Sequence, residues 1–207
     1  PIYSLEKDLT QILATQLIQK SVRHAYDVNM SSRDILIEQI KGIALDKTKK
    51  LIIRADIKSF YESIQHNLLL EIIHESPKLA AHVKRILTRL INDFSKLTGE
   101  HKGIPRGLGI SAYLSEIYLS QTDIAIKSQD GIYYYGRYVD DIVMAYTPCA
   151  DITSKDYLKY LQDLLHEKKL SLNNKTQVVD YPVTQKSCLT YLGYDFEFTS
   201  NCTNIIM

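Results

Sequence analysis

Tyr133-Tyr134-Tyr135-Gly136-Arg137-Tyr138-Val139-Asp140-Asp141-Ile142-Val143-Met144-Ala145-Tyr146 sets two adjacent carboxylates between two runs of aromatic and β-branched residues. Flanks of that kind favour strands, and one polar interruption between them predicts a strand, tight turn, strand hairpin. The expected tip is Asp140-Asp141, because Asp tolerates the left-handed backbone of short turns. Asp-Asp forms such turns less well than Asn-Gly does, which points to chemistry at the tip. Paired acids there suit a divalent cation; a solvated turn is the bland alternative.

A second segment weighs against the bland reading. Leu51-Ile52-Ile53-Arg54-Ala55-Asp56-Ile57 alternates as a strand, with Ile53, Ala55 and Ile57 on one face and Ile52, Arg54 and Asp56 on the other. Asp56 would end a buried strand on its polar side. Two strands of one sheet that each end in a carboxylate can hold two magnesium ions about 3.5–4 Å apart, the arrangement used in phosphoryl transfer.

These segments fall in an order that resembles the reverse transcriptases. Asp56-Ile57-Lys58-Ser59-Phe60-Tyr61 is similar to motif A, Gly103-Ile104-Pro105-Arg106-Gly107-Leu108-Gly109-Ile110-Ser111 to motif B, and Tyr138-Val139-Asp140-Asp141 to motif C. Leu170-Ser171-Leu172-Asn173-Asn174-Lys175-Thr176-Gln177 resembles motif D, and Leu189-Thr190-Tyr191-Leu192-Gly193-Tyr194 the motif E primer grip. The resemblance implies an α+β chain: right-hand polymerase fingers and palm, with an antiparallel palm sheet backed by helices. Residues 1–48 would begin the fingers, 49–65 carry motif A of the palm, 66–104 complete the fingers, and 105–207 form the palm with motifs B to E. A thumb is expected to be absent from this stretch.

The same resemblance implies roles. Asp56 and Asp140 would be the main ligands of two magnesium ions, with the Ile57 carbonyl a further oxygen and Asp141 a neighbour that tunes charge or ligates intermittently. Lys175 would protonate departing pyrophosphate, although exposed lysines are ordinarily just solubilising. Tyr61, five residues after Asp56, falls where the family places an aromatic gate against the ribose 2′-hydroxyl; a core aromatic is the alternative. Arg54, Lys58, Arg106 and Gly107 are candidates to bind the deoxynucleoside triphosphate, and Arg23 and Arg33 remain open as well. Tyr138, Tyr191, Leu192, Gly193 and Tyr194 would position the primer of an RNA or DNA primer-template, unless the motif E segment is a plain sheet hairpin.

Departures from the family pattern point to a subgroup. Arg106 stands where most members have Gln, and Gly107-Leu108-Gly109-Ile110-Ser111-Ala112 replaces the commoner Gly-Ser-Pro-type run. With Ser59-Phe60-Tyr61-Glu62-Ser63-Ile64 in motif A, this resembles the bacterial abortive-infection and defence-associated reverse transcriptases. That group is associated with phage resistance, and some members make DNA without an added template. Two other readings stand beside it. One is a non-catalytic nucleic-acid binding or assembly module on a polymerase palm, against which the intact acids argue. The other is a palm-fold nucleotide cyclase, for which no Gly-Gly-Asp-Glu-Phe-like turn is present.

Composition bounds the rest. The 207 residues, 45% apolar and 24% charged, suit one domain or slightly more with a sizeable core. A net charge of +1 means that binding a polyanion needs a local basic surface. No run approaches a membrane span, so a cytoplasmic protein is expected. Cys149, Cys188 and Cys202 lack paired spacing, and the six histidines form no zinc pattern. Gly107-x-Gly109-x-x-Ala112 lacks the leading strand that a dinucleotide fingerprint requires. Oligomeric state is open.

Helical periodicity completes the expectation. Leu5, Leu9, Ile12, Leu13 and Leu17 form one stripe, and Ser31-Ser32-Arg33-Asp34 caps a helix through Ile40. Leu79, Val83, Ile86, Leu87, Leu90 and Phe94 form the buried face of another, opposite Lys78, Lys84, Arg85 and Arg89, which either track a phosphate backbone or merely meet solvent. Ile110, Tyr113, Leu114, Ile117, Tyr118 and Ile124 mark the motif B helix, with Ser111 projecting toward the site. A last helix is expected at Tyr157–Leu165, a strand at Lys175–Asp180 and a hairpin at Lys186–Phe198.

Overall fold

A computed structural model describes residues 9–26, 32–148, 153–183, 185–199 and 203–206. Leu5, Ser31, Cys149 and Cys202 lie outside the described residues, as do the side chains of Leu9, Ile12 and Leu13. In chain order the elements are α1 (Leu9–Tyr26), α2 (Arg33–Leu45), β1 (Lys50–Asp56), α3 (Phe60–Ser63), α4 (His66–Glu75), α5 (Ala81–Thr98), α6 (Gly109–Lys127), β2 (Ile132–Tyr138), β3 (Asp141–Tyr146), α7 (Ser154–Glu167), β4 (Gln177–Tyr181), β5 (Ser187–Tyr191), β6 (Tyr194–Phe198) and β7 (Thr203–Ile206). No helix among the described residues is long and apolar enough to cross a membrane.

The chain divides into two compact units, one of residues 1–30, 59–121 and 168–170, the other of residues 31–58, 122–167 and 171–207. The second holds both sheets. One has the strand order β2-β3-β1-β4, antiparallel throughout, and the other the order β5-β6-β7. Strand β1 is central because its apolar residues serve both faces. Ile53 and Ala55 are buried as alternation predicts, and Ile52 on the opposite face is buried too. Leu36, Ile37 and Ile40 of α2 cover that second face in one core with Ile52, Val143, Ala145, Val179, Leu189, Phe196 and Phe198. The face expected to be polar is therefore polar only at Arg54 and Asp56. On the other side of the sheet, Tyr146 of β3 stacks on Tyr157 of α7 with ring centroids 3.8 Å apart.

Lys50 opens β1 and is fully buried. Its ammonium donates to the carbonyls of Ile43, at 2.7 Å, and Asp46, which are free at the C-terminal end of α2. The β5–β6 connection is a two-residue turn with positive φ at both Leu192 (47°) and Gly193 (80°), the twist that matches a tight hairpin. The Arg33 guanidinium donates to the Leu192 carbonyl at 2.6 Å and seals it. Strand β7, which pairs with β6, had no clear sequence signal.

In the first unit, α5 buries Val83, Leu87 and Ile91 and ends at Gly99, whose φ of 72° stops the helix. Ile86, expected inside, is 43% exposed. The basic side of α5 is partly consumed locally: Lys84 donates to the His74 carbonyl at 2.8 Å, and Arg89 lies 3.6 Å from Asp93. Helix α6 buries Ile110, Leu114, Ile117 and Tyr118, while Ile124 is exposed and Ile126 takes the buried position. Ser111 does not project as expected, because its buried hydroxyl donates to the Pro105 carbonyl at 2.6 Å. In α1 the buried side chains are Val22 and Ala25, and Leu17 is exposed.

Candidate active site

The acidic hairpin turns one residue earlier than its sequence suggests. β2 ends at Tyr138, β3 begins at Asp141, and these two pair, so the tip is Val139-Asp140. Val139 takes φ 59°, a left-handed conformation that a β-branched residue adopts only under constraint. Arg137 supplies that constraint. Its Nη1 donates to the Val139 carbonyl at 2.9 Å, while Nε and Nη2 grip the Asp123 carboxylate at 3.0 and 2.7 Å. On the far side, the Ile57 amide donates to the Asp140 carbonyl at 3.0 Å. The tip is thereby tied to the end of β1.

Shifting the tip makes Asp141 a strand residue directly opposite Asp56 in the β1–β3 register. Facing residues of an antiparallel pair share one side of the sheet, so motifs A and C bring two carboxylates together there, with Asp140 beside them. Arg54, two positions earlier on that side, forms a short ion pair with the Asp141 carboxylate through Nη2. Its Nη1 donates to the Lys175 carbonyl at 3.3 Å. Burial pushes the Asp141 carboxyl above its ordinary range; Arg54 opposes that shift, and the Asp56 and Asp140 carboxylates add to it.

Asn173 is the residue that the sequence reading missed. An isolated bridge between Ile57 and Leu172 lays residues 171–173 beside the end of β1. The Lys58 amide donates to the Ser171 carbonyl at 2.9 Å, and the Asn173 amide donates to the Asp56 carbonyl at 2.7 Å. The Asn173 side-chain amide then donates to Asp56 Oδ2 at 2.9 Å, which orients that carboxylate. The alternating Leu170-Ser171-Leu172-Asn173 pattern was the available signal.

Other expected residues are placed less directly. Lys175 and Lys58 have exposed side chains, and Tyr138 is 38% exposed beside the acidic tip. Tyr191 is fully buried in the sheet core, so its ring cannot touch a primer; its hydroxyl finds no hydrogen-bond partner among the described residues. Tyr194 lies under Lys41, whose ammonium sits 5.2 Å from the ring centroid. Leu192 and Gly193 form the turn sealed by Arg33, which assigns Arg33 to structure.

Tyr61, Arg106 and Gly107 belong to the first unit. There the motif A segment is laced to the motif B loop. The Ile104 amide donates to the Tyr61 carbonyl at 2.9 Å, the Gly103 amide to the Ile64 carbonyl at 2.7 Å, and Gln65 bridges Lys102. Arg106 pairs with Glu62 at 2.6 Å and lies 5.8 Å from the Tyr61 ring centroid. The hydrogen bond from Arg106 holds the Glu62 carboxyl below its usual range. Gly107 has φ 94°, a conformation that needs glycine. Glu62, Phe94, Lys102 and Arg106 line a cleft of about 430 Å³.

Among the described residues, no three His, Cys, Asp or Glu side chains make a ready cage for a metal, because Asp141 is turned onto Arg54. Magnesium does not require such a cage. It binds through one or two carboxylates together with waters and substrate phosphates, and the hard oxygens of Asp56, Asp140 and the Ile57 carbonyl fit that demand.

The sequence model of the family described as Reverse transcriptase (RNA-dependent DNA polymerase) matches residues 3–196. The chain belongs to the reverse transcriptase family. No curated protein matches it by sequence. Among solved structures, this reverse transcriptase resembles telomerase from Candida albicans in complex with a TWJ fragment of telomeric RNA, with a TM-score of 0.63 and 15% identity over 94% of this chain and 37% of that one. It also resembles apo telomerase from Candida tropicalis truncated from its C-terminal domain, with a TM-score of 0.64 and 16% identity over 93% of this chain and 44% of that one. The full apo Candida tropicalis telomerase gives 0.65 and 14% over 93% of this chain and 39% of that one. The reverse transcriptase chain thus spans about two fifths of these structures, and the likeness carries its fold, the α+β arrangement of fingers and palm.

Proposed function

We propose that the chain carries the active centre of an RNA-directed DNA polymerase that adds deoxynucleotides to a primer 3′ hydroxyl, with RNA or DNA primer-template as partner and magnesium as cofactor. The observation that carries this reading is the register that sets Asp56 against Asp141, with the Asp140 carbonyl on the Ile57 amide. Asp56 and Asp140 would hold the magnesium ions, joined by the Ile57 carbonyl. Bound there, the ions would stabilise charge on the reacting phosphate and favour ionisation of the attacking hydroxyl. Asn173 orients the Asp56 carboxylate, and Arg54 keeps Asp141 in place. Lys175, exposed on the adjoining segment, would donate a proton to pyrophosphate. Tyr61, held from its carbonyl side by Ile104, would exclude the ribose 2′-hydroxyl, since burying a hydroxyl against a ring without a partner is costly.

The finer assignment is to the cytoplasmic bacterial defence enzymes that act against phage and dispense with an added template. Its support is Arg106 in place of Gln, together with the ion pair that commits Arg106 to Glu62. An arginine so engaged is not extended toward a template base. Incubation of the chain with magnesium, labelled deoxynucleotides and either no template, RNA or DNA tests both levels. Polymer that is lost in Asp140→Asn supports the polymerase, and polymer formed without template supports the defence assignment. Nucleic-acid binding that survives Asp140→Asn with no product in either protein would replace the reading with an assembly module.

A further inference from the structure

We infer that Asp141 is the counter-ion of Arg54 and not a metal ligand, and that the pair is the positioning device that fixes the acidic hairpin against β1. The inference rests on the polymerase reading and divides the adjacent acids between two tasks. Asp140 sits at the turn tip, while Asp141 lies within the sheet. The side chains of Arg54 and Asp141 are 14% and 19% exposed, so both charges are largely withdrawn from water. The guanidinium cannot shed its proton. Its Nε is already buried without a partner among the described residues. Drawing Asp141 toward a cation would leave Arg54 buried with no counter-charge, which is more costly than leaving Asp141 where it is.

The surroundings make the same demand. Asp56 and Asp140 repel Asp141 on its own side of the sheet, and the Tyr191 hydroxyl that faces the pair carries no charge to replace either partner. Arg54 also reaches the Lys175 carbonyl, so one fork links β1, β3 and the segment that bears Lys175. Lysine, a point charge without a planar fork, would not make both links.

The test is Mn²⁺ binding to the full chain without nucleotide, followed by electron paramagnetic resonance, with thermal unfolding read in parallel. Asp56→Asn and Asp140→Asn are expected to weaken Mn²⁺ binding by about tenfold or more. Asp141→Asn is expected to change it by less than about threefold while lowering the melting temperature by roughly 6–15 °C. The uncharged double variant Arg54→Gln/Asp141→Asn should recover part of that loss and bind Mn²⁺ within about threefold of the parent. Weakening by Asp141→Asn or the double variant as large as that from Asp56→Asn overturns the inference and leaves the polymerase reading intact. Unchanged binding in Asp56→Asn and Asp140→Asn overturns that reading and the inference with it.

Discussion

Asn173 holds Asp56 at two points, donating its backbone amide to the Asp56 carbonyl at 2.7 Å and its side-chain amide to Asp56 Oδ2 at 2.9 Å. The first contact survives any substitution that keeps the backbone, and the second does not. Asn173→Ala is therefore expected to lower kcat by about 10–100-fold with KM for deoxynucleotide nearly unchanged. Its stability cost should be only about 1 kcal/mol. Steady-state kinetics and urea unfolding separate the two. Asn173→Asp, which adds a fourth carboxylate, should be worse than Ala in activity.

Val139 pays for its left-handed φ of 59° with steric strain, worth about 1–2 kcal/mol for a residue with a Cβ. Glycine relieves it and adds back about 0.5–1 kcal/mol of chain entropy. Val139→Gly should leave the urea midpoint unchanged or raise it slightly. Val139→Pro cannot reach this φ and should unfold the hairpin.

Arg137 and Asp123 form a buried, two-point ion pair that also accepts the Tyr135 hydroxyl at 2.6 Å. Removing one partner strands the other charge. Arg137→Met is expected to cost about 3–5 kcal/mol, and Arg137→Met/Asp123→Leu to recover much of it, as measured by equilibrium unfolding.

His66 is buried, with Nε2 at 2.6 Å from the Gly103 carbonyl and Nδ1 unpartnered among the described residues. Burial pushes its pKa below the ordinary value of 6.5, more than the hydrogen bond to Gly103 raises it, and His101 pushes in the same direction as burial. The unfolded chain then takes up the proton first. The stability contributed by neutral His66 is complete above about pH 6.5 and is lost as pH falls through the lower folded value. Melting temperature should fall between pH 7 and pH 5, and His66→Gln should flatten that slope.

Tyr61 presents a half-buried ring beneath the Arg106 guanidinium. Tyr61→Val should raise ribonucleotide incorporation relative to deoxynucleotide by about tenfold or more, measured by single-nucleotide extension. Unchanged sugar discrimination would remove its gate role.

Period-two alternation located β1 and the motif E hairpin, and the amphipathic stripes located α5, α6 and α7. These signals are local and repeat along the chain. What sequence did not disclose depends on distant partners. The tip falls at Val139-Asp140 because Arg137, anchored to Asp123, and Ile57 hold it there against the preference of valine. Ile52 is buried because α2 lies over its face. Tyr191 reads as a contact residue from its motif but is core, since α2 and β6 enclose it. Arg54 reads as a phosphate ligand until Asp141 is seen beside it. In each case a neighbour remote in sequence overrode the local pattern.

β1 is paired along both edges, with β3 and β4, and Ile52, Ile53 and Ala55 are without solvent exposure. The reactive end of the molecule is borne by the element whose amides should exchange with deuterium last. Warming should therefore silence the enzyme only when the whole palm melts, so that residual turnover and far-ultraviolet ellipticity vanish along one curve.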